Sequence, residues 1–535
     1  MMTNFPHLPL QLSRRSLLKW LGGTGLLLAG GGCTGAEPSP EPLPEATALA
    51  ENQATPHAQP SLLRVAFGSP PRTFDPARMS LLEEFHVAFA LYEALLWIDA
   101  DLLPQPLLAS SWETTPDLLT WTFALQRGRT FHNGADVTAN DVVYTFERLL
   151  DPDLGLSLFA LTQAIARVEA VDAYTVQFHL TAPNAELPYM LAAPQTGIVP
   201  TAATTSALNT LPVGAGPYQF VDSLPGGRLR LQRFLEHPDA ENYQLQAVEY
   251  HYFSTLAAQA DALLAGHVEM IADVNLQDLT RLQEHPEIVV LEVPSGRYQT
   301  IVMQATEAPF TDLRVRQALK ACADRPLLIE QALRGYGELG RDHPVAPVSA
   351  FVADLPLPEQ NVERARQLLA EAGHPNGLTL DLITSDSRPG MLLLAESFSQ
   401  MAALAGIQIR VTRVPADVYW SDYWGNVPFY VGNWNFRVSI DETFTLAHYS
   451  TSPQNESKWS TPELDALLDQ ARSEANQETR MALYHKAQQI VQEQGAVVIP
   501  YFRPVLMAVQ RKVQGFVGHP AGWIDFYGVT IEGAA

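Results

Sequence analysis

The residues of this chain that could carry chemistry are few, and most familiar catalytic arrangements fail on spacing. Fourteen histidines are scattered along 535 residues. None pairs with another at metal-binding helical spacing beside an acid, and no Gly-x-Ser-x-Gly elbow exposes a serine nucleophile. Cysteine occurs only as Cys33 and Cys322, too few for a disulfide framework or a thiolate metal site. Gly335-Tyr336-Gly337-Glu338-Leu339-Gly340 spells the dinucleotide fingerprint letter for letter. That fingerprint holds a pyrophosphate only between a strand and a helix N-terminus. Here a helix over residues 327–333 precedes it and Arg341-Asp342-His343-Pro344 follows, so the glycines read as a helix C-cap and loop. What remains suits recognition better than reaction. Tyr419, Trp420, Tyr423, Trp424, Phe429, Tyr430, Trp434 and Phe436 crowd one short run. Tyr430 and Trp434 alternate onto one face of a strand with Phe436, a pattern that builds walls for an extended or ring-bearing ligand and also buries that face. Asn433, Arg437 and Asp441 supply polar groups in the same stretch. His343 is a further candidate, although a lone histidine is more often a hydrogen-bonded structural residue.

The elements that position these residues follow from the hydropathy pattern. Residues 62–67, 121–125, 164–180 (broken at Asp172) and 244–253 alternate as strands. Residues 288–293 form another, which leads through Pro294-Ser295-Gly296 into Ile301-Val302-Met303 and reads as a crossing between lobes. Thr138 is placed to cap a helix, with Asp141 standing in for the capping-box Glu and Val142, Val143, Phe146, Leu149 and Leu150 as its apolar stripe. Thr311 is placed to cap another. From residue 362 onward helix and strand alternate: helices 362–372 and 392–405, stopped at Gly373 and Gly406, and strands 378–384 and 407–414. Helices beginning at Thr461 and over 480–492 and a short strand over 497–501 follow. That order predicts an α/β fold.

With 47% apolar residues the chain can bury a large core divided into two or three lobes. Its 34 basic against 58 acidic residues give a net charge of −24, which argues against a nucleic-acid partner and for an anionic, soluble surface. Ser13-Arg14-Arg15-Ser16-Leu17-Leu18-Lys19 resembles a twin-arginine export signal, and the apolar run over 20–29 is too short to span a bilayer. Gly30-Gly31-Gly32-Cys33 resembles a lipoprotein cleavage site, with Gly30 where such sites usually carry Leu. Cys33 is therefore the expected point of lipidation, with plain signal cleavage or an uncleaved anchor as the alternatives. Residues 34–60, rich in Pro, Ala, Glu and Gln, read as a flexible tether. The expected location is extracytoplasmic, the periplasm or the outer face of the cell membrane.

Tyr92-Glu93-Ala94-Leu95-Leu96, Pro106 to Ala109, Ser111-Trp112-Glu113, Trp121-Thr122-Phe123, Phe131-His132-Asn133-Gly134, Thr138-Ala139, Asp141-Val142 and Arg148 follow one another in a specific order. Together they resemble solute-binding protein family 5, the dipeptide, oligopeptide and nickel-binding proteins of ABC importers. Pro212-Val213-Gly214-Ala215-Gly216-Pro217-Tyr218, Pro309-Phe310-Thr311-Asp312-Leu313-Arg314-Val315-Arg316-Gln317-Ala318-Leu319 and Pro462-Glu463-Leu464-Asp465-Ala466-Leu467-Leu468 extend the resemblance toward the C-terminus.

The resemblance implies a periplasmic-binding-protein-like fold of the large cluster-C type: two α/β lobes joined by hinge strands, plus an inserted domain. The implied plan is an export signal with its lipoprotein cysteine over 1–33 and a tether over 34–60. Lobe I comprises 61–79, 194–294 and 500–535, the inserted domain II spans 80–193, and lobe III runs over 295–499. It implies capture without catalysis, with no cofactor, no resident metal and, by family precedent, a monomer. The implied partners are a peptide-like or anionic small solute, the ABC permease subunits, and the membrane through a lipid anchor. In peptide-binding relatives the strand matching Tyr430 to Trp434 leads into an Asp that pairs with the peptide ammonium. Arg437 stands at that position, and a guanidinium repels an ammonium in a dehydrated cleft. Three readings stay open: Arg437 offers its fork to a solute carboxylate, it pairs with Asp441, or Asp441 or Glu442 takes over the amine. Some relatives bind nickel through a chelator, which would bring His343 or His448 to a cleft. The competing functions are binding of a non-peptide anion or chelated metal for import or sensing, and an exported hydrolase, for which no motif is present.

Overall fold

Strand Ile288–Met303 runs through the middle of the molecule and pairs along its length with Tyr501–Gln510. The two are antiparallel in register from Ile288 opposite Gln510 to Val293 opposite Val505. After an irregularity they pair again at Arg297 opposite Arg503 and Tyr298 opposite Phe502. The crossing expected at Pro294-Ser295-Gly296 is thus a bulge inside one strand. Proline withholds one ladder donor, and the strand absorbs the loss by slipping register without ending. Gly296 is required there, because a Cβ would stand 2.0 Å from the Phe436 ring.

The computed structural model describes residues 61–533 except 155, 157, 159–163 and 225. The export-signal-like segment, Cys33 and the 34–60 tether lie outside the described residues. Around the central pair, one sheet runs in the order Ile407–Arg413, Leu378–Thr384, Phe429–Trp434, Ile288–Met303, Tyr501–Gln510, Met270–Ile271, Leu62–Phe67, Ala247–Tyr252, Arg228–Arg233 and Tyr218–Ser223. Its first three strands belong to one α/β lobe and its last five to the other, so only the long central pair is shared. The parallel pair Leu378–Thr384 with Ile407–Arg413 is bridged by helix Met391–Leu404, whereas the parallel pair Leu62–Phe67 with Ala247–Tyr252 is joined by a long excursion that holds the four-stranded unit and the strands Tyr218–Ser223 and Arg228–Arg233.

A separate four-stranded antiparallel sheet is formed by Ala109–Thr114, Thr120–Leu125, Thr175–Leu180 and Ile165–Asp172, in that order. Helix Ala139–Leu150 packs on it. Its cap is the one the sequence predicts: the Asp141 carboxylate accepts the Thr138 N–H at 2.9 Å and the Thr201 N–H at 2.8 Å. Phe146 meets Phe178 edge to face at 4.8 Å, and Phe178 meets Phe123 in the same way at 5.5 Å. Each such buried ring contributes about 1.5–3 kcal/mol. The Arg148 guanidinium at the end of that helix grips the buried Asp75 carboxylate in the loop after the first strand, tying this unit to its lobe.

Two details differ from expectation. The helix expected from Thr311 is capped by Asp312, which accepts the Arg314 N–H at 2.8 Å, and runs Leu313–Cys322. A carboxylate at that position also complements the positive helix end, which a threonine hydroxyl does not. The glycine run after helix Arg325–Leu333 begins with Arg334 and Gly335 at φ 56° and 87°, then enters strand Glu338–Leu339. Gly340 lies against the chain at Ile499, where a Cβ would be 2.1 Å from a carbonyl oxygen. These glycines serve a helix end and a close backbone approach.

Candidate functional site

Strand Phe429–Trp434 presents two different faces because its side chains alternate. Tyr430, Gly432 and Trp434 point to one side. There the Trp434 indole N–H donates to Glu456 Oε1 at 2.9 Å, Trp424 donates to Oε2 at 3.0 Å and Thr300 Oγ1 to Oε1 at 2.8 Å. The Tyr430 hydroxyl donates to the Glu456 carbonyl at 2.9 Å, and the Trp434 ring stacks on Tyr298 at 6.1 Å. Burial pushes the Glu456 carboxyl above its ordinary range, and the three donors pull it back. Tyr430 and Trp434 are thus core residues that wall in a buried carboxylate. Sequence reasoning missed Glu456. Asn455-Glu456-Ser457 reads as an ordinary polar loop, and nothing local marks its acid as buried.

Arg437 and Asp441 do not pair with each other. Arg437 Nε lies 3.0 Å from Glu442 Oε1, and Asp441 accepts Arg472 through Nε and Nη2, each at 3.0 Å. Helix phase decides this. Ser439 caps helix Ile440–His448 by accepting the Glu442 N–H at 3.1 Å, and successive residues then turn about 100° apart. Glu442 comes round toward Arg437, while Asp441 faces helix Pro462–Arg472. Burial raises the pKa of both acids, and the paired guanidinium opposes the rise in each.

The Ser439 hydroxyl reaches across to the unit carrying the four-stranded sheet and donates to Glu186 Oε2 at 3.1 Å. Arg480 Nε stands 3.6 Å from Glu186 Oε1, and the Ala185 N–H donates to the Arg472 carbonyl at 2.8 Å. Desolvation pushes the Glu186 carboxyl up to about 7; the charge of Asp441 adds to the rise and Arg480 and Arg472 oppose it. This is a direct polar contact between the inserted unit and the opposite lobe.

Asn433 points to the other face, where its Oδ1 accepts Arg503 Nη2 at 3.0 Å and Gln299 Nε2 at 3.4 Å. The Tyr501 hydroxyl donates to Gln299 Oε1 at 2.8 Å. Arg297, Gln299, Asn433, Tyr501 and Arg503 therefore form a polar cluster on one face of the shared strands and their neighbour. Of that group the sequence reading singled out only Asn433. The available signal was polar residues alternating through the apolar strand Ile288–Met303. His343 is buried in the core, with neither ring nitrogen partnered among the described residues. Burial, with the charges of Arg341, His448 and Lys320, pushes its pKa down to about 3. His448 is depressed to about 3 by burial and Lys320. Both rings are neutral at ordinary pH. Among the described residues no group of three or more His, Cys, Asp or Glu side chains is arranged to hold a metal ion, and no helix is long and apolar enough to cross a membrane.

Two α/β lobes sharing one sheet through a pair of hinge strands, with an inserted antiparallel unit, define a periplasmic-binding-protein fold of the cluster-C type. The model of the bacterial extracellular solute-binding proteins, family 5, matches residues 104–456, and the chain belongs to that family. Heme-binding protein A of Haemophilus influenzae is 28% identical over 472 residues, covering 80% of this chain and 84% of that protein. The glutathione-binding protein GsiB of Escherichia coli strain K12 is 26% identical over 469 residues, covering 84% and 91%. The structure of HbpA2 from Haemophilus parasuis superposes with a TM-score of 0.80 at 23% identity, covering 88% of this chain and 100% of that one.

Proposed function

We propose that the protein is the extracytoplasmic substrate-binding component of an ABC importer, capturing a peptide or peptide-like solute between its lobes and delivering it to a membrane permease. The observation that carries this reading is the hinge geometry within a family of solute-binding proteins. The lobes are joined through the strands Ile288–Met303 and Tyr501–Gln510, and beyond the hinge the inserted unit meets the opposite lobe through polar contacts such as Ser439 with Glu186. Such contacts can part and re-form around a solute while the shared strands flex. The organisation that fits is lobe I over 61–79, 194–294 and 500–535, domain II over 80–193 and lobe III over 295–499. Export by the twin-arginine-like signal, lipidation at Cys33 and action as a monomer complete the proposal. The similarity to a glutathione-binding protein and to a heme-binding protein supports a solute with peptide or carboxylate character.

The test is release of whatever small molecule co-purifies with the protein, by denaturation, followed by mass spectrometry and back-titration by calorimetry. A peptide or peptide-like solute that rebinds stoichiometrically is the expected result. Conversion of the released molecule by the protein would replace the reading with an enzyme.

A further inference from the structure

Arg297 and Arg503 stand directly opposite one another on the two hinge strands. Directly opposed residues of an antiparallel pair share a face with their Cβ atoms about 5 Å apart, where like charges repel. Among the described residues neither arginine has an ion pair. Arg297 makes no side-chain hydrogen bond among the described residues, and Arg503 spends Nη2 on Asn433 at 3.0 Å and Nη1 on the Pro389 carbonyl at 3.5 Å, leaving its Nε buried and unpartnered.

Asp273, whose charge is felt by both arginines, makes no ion pair among the described residues. Arg388 contributes a further positive charge toward Arg503. On the lobe I side Arg297 meets Gly522, at φ 78°, where a Cβ would stand 2.5 Å from Arg297 Nη2. Near it burial and the charge of Arg297 hold His86 as a neutral ring, pushed down to about 4, against the opposing pull of its 2.9 Å hydrogen bond to the Gly522 carbonyl. On the lobe III side stand Asn433 and Pro389. The two guanidinium groups therefore lie at the junction of the lobes. Both are depressed by desolvation, Arg503 to about 10 with Arg297 adding to the effect.

We infer that Arg297 and Arg503 form an anion subsite at the hinge, which takes a carboxylate of the captured solute between two guanidinium groups. This rests on the capture reading above and names the charge class of its solute. An anion placed there turns a like-charge repulsion into charge-assisted contacts with two guanidinium groups. It also links both hinge strands and, through Asn433 and Gly522, both lobes, so the solute's charge favours the closed arrangement.

The test uses the purified full-length protein freed of bound solute, with Arg297→Met and Arg503→Met variants. The probes are glutathione and succinate, with dimethyl succinate and succinamide as neutral counterparts. Melting temperature and calorimetric affinity are the readouts. The two anions are expected to raise the wild-type melting temperature and the neutral counterparts to leave it unchanged. Either variant should lose about tenfold or more in anion affinity. Solute-free Arg297→Met should melt at or above the wild-type temperature, because it removes a repulsion and strands no hydrogen-bond partner; a purely structural arginine would lower it. Anions that fail to shift the wild type, or that shift Arg297→Met equally, would overturn the subsite. If a neutral solute co-purifies and rebinds, solute capture stands and the anion subsite falls. If neither a co-purified molecule nor any probe binds, both readings fall together.

Discussion

The Trp434 indole and the Glu456 carboxylate are joined by a 2.9 Å hydrogen bond in the buried centre of one lobe. Gly432 makes room for it, since a Cβ there would lie 2.2 Å from Thr300 Oγ1 and 2.5 Å from Glu456 Oε2. Glu456→Ala should cost about 1–3 kcal/mol for each donor it strands among Trp424, Trp434 and Thr300. Gly432→Ala should cost a further 1–3 kcal/mol or so by overpacking. Urea denaturation measures both, and an unchanged midpoint in Glu456→Ala would mean that the carboxylate is dispensable.

Arg325 and Asp342 form an ion pair at 2.7 Å with both side chains fully buried, and Asp342 Oδ1 also accepts the Ile499 N–H at 2.9 Å. Asp342→Ala leaves a guanidinium without its counter-charge, which typically costs about 3–5 kcal/mol. The pair also pins the loop after Gly340 to the start of the strand Tyr501–Gln510. Proteolysis within residues 335–345 should accelerate in the variant. Equal protection of the two proteins would show that the loop is held by its other contacts.

Arg437 and Glu442 are both partly exposed, so their pair is screened by water. Arg437→Ala should lower stability by no more than about 1 kcal/mol. Because the guanidinium is already engaged by Glu442, the variant should also keep solute affinity within about threefold of wild type, a difference of roughly 0.7 kcal/mol. A tenfold loss in calorimetry would place Arg437 on the solute.

Glu186 predicts a pH dependence. Its folded pKa of about 7 lies above the ordinary carboxyl value, so between those two values the folded state holds a proton that the unfolded state has released. Stability from this group is present at low pH and falls as pH rises from the ordinary value through about 7. Glu186→Gln, which cannot ionise, should narrow the difference in melting temperature between pH 5 and pH 7.5. Coincident pH profiles for variant and wild type would refute the assignment.

The sequence by itself determined which segments are helix and which are strand, and the family. Strands over 62–67 and 378–384 coincide with the structure, and the Thr138–Asp141 cap forms as its spacing requires. Period, capping chemistry and glycine stops act over a few residues, so they are legible locally. Tertiary structure alone decided what each polar group faces. Asn433 and Trp434 are neighbours in the chain, yet one looks onto the hinge arginines and the other onto a buried acid. The phase of helix Ile440–His448 gave Arg437 to Glu442 and Asp441 to Arg472. Arg297 and Arg503 come from distant parts of the chain and meet only through the register of the shared strands, which a bulge at Pro294 to Gly296 sets. A one-residue slip there would turn each arginine to the opposite face. Electrostatic partners are chosen by such long-range geometry, and for that reason the charge pattern of the hinge is absent from any local window of the sequence.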